Sequence, residues 1–165
     1  MKRRWYIYII VGILFGVFDF YFPNFLTYWR IDSRFWGNTV GFVLTVGLWL
    51  VSVVPIVLYE VKVSRSRILS TLANSLTWCI AVIVYYLTNV IQLAIGDSTQ
   101  PYLGISNHRE PSFWANWGTV LLTYILGHII EWTLVAVIGG SMIGFLMSSI
   151  YLCLKAKKNK HLLSE

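Results

Sequence analysis

Five polar or ionisable side chains stand inside otherwise apolar stretches of this chain: Asp19, Asn89, Gln92, His128 and Glu131. His128 and Glu131 are three residues apart, so a helix carries both on one face. Helical carboxylate sites share a metal ion at this spacing. Such sites draw several ligands from several helices, and the additional candidates here are Asp19, Asp97 and His108. The pair is also not the H-E-x-x-H of zinc proteases. No metal site is assigned, and nothing in the chain calls for a cofactor. Ser98, Ser106 and Ser112 fall in the same region as His108 and His128, but no nucleophile elbow surrounds them. A glycine-rich phosphate loop is missing too. The chemistry left open is solute or proton handling, set against plain hydrogen bonding at helix ends.

Those side chains need elements to hold them. The sequence is 57% hydrophobic and 12% charged, about half the charge of an ordinary soluble domain. Its apolar runs reach the ~20 residues that cross a bilayer core of about 30 Å. The expected class is an all-α integral membrane protein, one membrane domain over residues 1–165. The net charge of +6 is an orientation signal, because most Lys and Arg fall at the ends of the runs. It gives no reason to expect nucleic acid as a partner. Cys79 and Cys153 both lie inside apolar runs and read as filler. Residues 1–18 resemble the charged and apolar parts of a signal peptide, but no small-residue cleavage site follows, so they are expected to stay as a first membrane helix.

The expected crossings are residues 5–22, 38–59, 68–95 and 128–154, with a basic tail at 155–165. Pro23 is expected to end the first, since the residue before a proline disfavours the helical conformation. Pro55 is expected to kink the second, and residues 60–67 to form a polar turn whose serines cap the third. Residues 112–154 are 43 in number, too long for one crossing and too short for two. Charge bias resolves this. With four crossings, ten basic residues share one side: Lys2, Arg3, Arg4, Lys62, Arg65, Arg67, Lys155, Lys157, Lys158 and Lys160. Only Arg30, Arg34 and Arg109 are on the other. The positive-inside rule then puts both termini in the cytoplasm. A second crossing in the last stretch would erase the bias. Residues 112–126 therefore read as an outer interfacial or re-entrant helix anchored by Phe113, Trp114 and Trp117, bending at Gly127 into the last crossing.

In that topology the five polar residues gather in the outer leaflet, with Asp19, Gln92, His128 and Glu131 expected to meet. Gly12 and Gly16 share a helix face with Asp19, while Gly140, Gly144 and Ser148 form a second small-residue face. Such faces let helices approach closely, within a chain or between chains. The sequence points first to an accessory or interaction subunit that packs against a larger membrane protein or a second copy of itself. A small transporter or channel is the alternative; against it, the polar groups occupy the outer half alone. A third is a membrane-embedded enzyme acting on a lipid or lipid-linked substrate, with His128, Glu131 and Asp19 as its acid–base or metal groups. The expected location is a bacterial plasma membrane, with the lipid bilayer itself as the main partner.

Overall fold

The structure is a computed structural model that describes residues 2–28, 39–95 and 110–162. It is all-helical, and four of its helices are long and apolar enough to cross a membrane. In chain order they are α1 (Lys2–Tyr28), α2 (Thr39–Ser64), α3 (Arg67–Ile95), the short α4 (Pro111–Ala115) and α5 (Trp117–Val120), a π-helical turn (Leu121–Leu126), and α6 (Gly127–Leu162). Most of the aromatic loop expected after Pro23 and of the polar loop before Pro111 lies outside the described residues, as do Arg30, Arg34, Asp97, His108 and Arg109.

The bundle is built around α3, which packs most extensively on α6 and α1 and less on α2. Its sequence explains this role. Ile68, Leu72, Ile83, Leu87 and Ile91 recur at helical spacing and are exposed, as suits a lipid-facing stripe. Ser70, Asn74, Thr77 and Asn89 are fully buried on the opposite side. The amphipathic sense of a soluble helix is inverted, the pattern expected of a helix surrounded by hydrocarbon.

Close approach is paid for by small residues. A Cβ on Gly12 would come 2.8 Å from the Thr77 carbonyl oxygen, and one on Gly16 would collide with that of Ala81. Across the other flank, a Cβ on Gly144 would lie 2.9 Å from Thr71 Cα, and one on Gly140 3.0 Å from Ser75 Cα. Both small-residue faces are thus occupied by α3 of the same chain. These contacts also fix direction. Gly12 meets Thr77 and Gly16 meets Ala81, so α1 and α3 run parallel. Gly144 meets Thr71 while Gly139 meets Trp78, so α6 runs antiparallel to α3. The start of α1, the α2–α3 turn and the later part of α6 therefore lie at one end of the bundle.

Several element boundaries differ from those expected. Residue 23 does not end α1, which continues to Tyr28. The turn before α3 shrinks to Arg65 and Ser66, and Glu60 belongs to the last turns of α2. Arg65 closes α2 in the left-handed region, φ 53°, the usual conformation just past a helix end. The Ser66 hydroxyl accepts from the Leu69 N–H at 3.3 Å and so caps α3. α2 passes unbroken through Pro55, whose ring faces outward. Gly127 has ordinary helical angles, φ −56° and ψ −50°, and is no bend. The break falls instead at Asn116, φ −104° and ψ 17°. Only α4 stands apart from the long last helix, and Phe113 roots it in the bundle.

Candidate functional site

The half of the bundle away from the α2–α3 turn holds a core of Phe20, Val82, Tyr85, Tyr86, Leu93, Phe113, Ile125 and Ala136. α1, α3, α4, the π-turn and α6 all contribute to it. Phe20 and Tyr85 meet edge to face at 5.6 Å, and the rings of Tyr86 and His128 are 6.1 Å apart. α3 thus separates an α1 side from an α6 side.

The five polar residues are distributed around that core, and no hydrogen bond joins any two of them. On the α1 side, the Gln92 amide donates to the Tyr21 hydroxyl. Asp19 precedes Phe20, is partly buried, and makes no side-chain hydrogen bond to a described residue. On the α6 side, His128 Nδ1 bonds the Tyr124 carbonyl of its own helix. A carbonyl only accepts, so Nδ1 carries the proton and Nε2 is left as an acceptor in the neutral ring. Glu131, one turn further on, is exposed. Asn89 is on α3, three residues from both Tyr86 and Gln92. It is 0% exposed, and neither Oδ1 nor Nδ2 has a protein partner. Leaving a buried polar group unpaired costs about 1–3 kcal/mol, so Asn89 is the most anomalous of the five.

A second polar cluster lies at the opposite end. Glu60 is 2% exposed, and Arg4 Nη1 reaches both of its carboxylate oxygens at 3.1 Å. The Tyr8 hydroxyl donates to Glu60 Oε2 as well. Arg4 and Tyr8 are one turn apart on α1, so a single α2 carboxylate engages both. The sequence carried a signal for it. Val53, Ile56, Val57, Glu60 and Val61 continue one buried stripe at helical spacing, and the stripe passes through Glu60 before α2 ends.

Between these ends, polar contacts fasten α3 to α6. Asn74 Nδ2 donates to the Gly140 carbonyl at 2.7 Å, and the Ser75 and Ser141 hydroxyls are 3.0 Å apart. Thr77 and Ser70 turn back to carbonyls of their own helix, while Ser148 bonds that of Phe145. Buried polar groups therefore occur at every depth of the bundle. Among the described residues, no three His, Cys, Asp or Glu side chains converge as a metal site would require. No family model, curated protein or solved structure matches the chain.

Proposed function

We propose that this chain is a small four-span transporter or channel of a plasma membrane, working as a homo-oligomer on a small polar solute. Both termini are cytoplasmic in this reading, and α4 and α5 lie at the outer surface. Its orientation is supported by the gathering of Arg3, Arg4, Lys62, Arg65 and Arg67 at one end of the bundle, the cytoplasmic signature of multi-pass proteins. The observation that carries the functional reading is the burial of polar side chains at both depths, Glu60 and Asn74 toward the inner end and Asn89 toward the outer. Polar residues held inside a membrane bundle mark solute and ion pathways by default. The sequence had offered them in the outer half alone.

An accessory subunit is the second reading, and one observation favours it. Glu131 is exposed on an apolar helix with no hydrogen-bond or ion-pair partner among the described residues, and a cationic side chain of a larger membrane protein would satisfy it. The argument from small-residue faces no longer helps, because α3 fills both. Current measurements on solid-supported membranes carrying the reconstituted chain test the choice. Concentration steps of inorganic and organic ions are expected to give protein-dependent currents. Silence toward every ion, together with stoichiometric co-purification of a larger membrane protein, rejects transport in favour of the accessory role.

A further inference from the structure

We propose that this chain self-associates through α6, two parallel copies meeting so that His128 of each pairs with Glu131 of the other. The inference rests on the homo-oligomeric part of the reading above and names the interface. Three observations carry it.

First, Glu131 is exposed within an apolar stretch, not at its edge. Leu126 and Ile130 precede it and Leu134 and Ile138 follow it, all exposed, and the whole lies inside the apolar window 117–159. Ionisable groups in such segments are costly and pair with one another, yet Glu131 has no hydrogen-bond or ion-pair partner among the described residues. Second, a partner stands one turn away on the same helix. His128 spends Nδ1–H on the Tyr124 carbonyl, which leaves Nε2 without a hydrogen bond. His128 and Glu131 do not bond each other within the chain. Their levels differ by about 4.5 Å, a gap that side chains of neighbouring parallel helices bridge. A twofold axis along the membrane normal brings each His128 to Glu131 of the second copy, so one contact is made twice. In each pair Nε2 and the carboxylate share one proton, taken up from water. A lone carboxylate would call for a cation of another protein; here the chain carries both halves. Third, the pair continues as a seam. His128, Glu131, Val135, Ile138, Met142 and Phe145 recur in alternating steps of three and four, the spacing of a left-handed coiled coil. The apolar members are all exposed. The face of α6 that packs on α3 is a different one: Ala136, Gly140, Gly144 and Ser148 recur in steps of four and are buried.

Single cysteines are placed in the full chain with Cys79→Ser and Cys153→Ser, and membranes containing it are oxidised. Ile138→Cys and Met142→Cys should cross-link to dimers; Leu72→Cys and Ile91→Cys, exposed on α3, should not. Monomer at both seam positions, or equal cross-linking at all four, would overturn the proposal, and so would capture of the seam cysteines by a different protein. Charge exchange tests the pair itself. In detergent, self-association followed by energy transfer between labelled copies should weaken about tenfold in His128→Glu and in Glu131→His. The double exchange should restore it, since each copy again carries one ring and one carboxylate. Singles that associate like the parent, or a double exchange no tighter than the singles, would overturn it too. Current measurements separate this interface from the transport reading. Currents from a chain that stays monomeric keep transport and reject the interface. Dimers cross-linked along α6 that carry no current keep the interface and reject transport.

Discussion

Glu60 is the residue whose role changed most between sequence and structure. Read along the chain it opens a polar turn; in the fold it is buried under Arg4 and Tyr8. The difference is physical. A charge near a helix end reads as solvated unless its partner is known, and the partner is 56 residues away. Breaking a buried ion pair from one side costs about 3–5 kcal/mol, because the other charge stays desolvated. Arg4 keeps contact with solvent, which reduces the loss. Arg4→Leu is therefore expected to destabilise the protein by roughly 2–3 kcal/mol in a reversible unfolding titration. Arg4→Leu with Glu60→Leu should lose less than Arg4→Leu alone. A double variant as unstable as the sum of the singles would mean that the two residues act independently. Asp19, Asn89, Gln92, His128 and Glu131 stood out as amides, acids or an imidazole in apolar runs, whereas Asn74, an amide in the same run as Asn89, did not. Their partners were not legible: Tyr21 and Tyr124 are ordinary interfacial aromatics until the helices are placed.

At the scale of elements, α3 determines most of what can be tested. Its neighbours approach through glycine, so side chains added there should act on the fold of the single chain. Gly16→Leu and Gly144→Leu meet backbone atoms and are expected to cost more than the ~1–3 kcal/mol typical of overpacking. Gly47→Leu meets open space and should be silent. Thermal melts of the three variants in one detergent check this; a harmless Gly144→Leu would remove α6 from its place on α3. Loss of the Asn74 bond to Gly140 is a smaller matter. Asn74→Leu should cost about 0.6–1.7 kcal/mol, as interhelical hydrogen bonds in membranes do. The four long helices and the caps at Ser66 were readable from hydropathy and turn chemistry. The interruptions were not. Pro23 and Gly127 are helix breakers by propensity, yet α1 runs on and Gly127 is helical; such residues are tolerated in helices of membrane-spanning type, where the helix is what satisfies the backbone. The real break, at Asn116, follows from Phe113 being drawn into the core while α5 lines up with the crossing.

For the whole molecule, topology is the property most open to measurement. A single cysteine at Lys158, in a background with Cys79→Ser and Cys153→Ser, is expected to react with an impermeant maleimide only from the cytoplasmic side. A cysteine at Thr119, exposed on α5, should react only from outside. Labelling of both from one side would remove the four-span arrangement. The basic tail follows the end of the bundle that holds the α2–α3 turn. Arg67, the first residue of α3, lies over the Phe145 ring at 6.0 Å; Ser148, one turn further along α6, is still fully buried, and the helix continues to Leu162. The exposed apolar run of α6 ends at Leu154, and at ~1.5 Å per residue Lys155 stands about 2 Å and Lys158 about 6 Å beyond it. The screening length in physiological salt is ~8 Å. A helix continuing in line therefore keeps these lysines within one screening length of the level where the apolar run ends, so that in a membrane the tail would form a charged collar at the surface rather than a free arm.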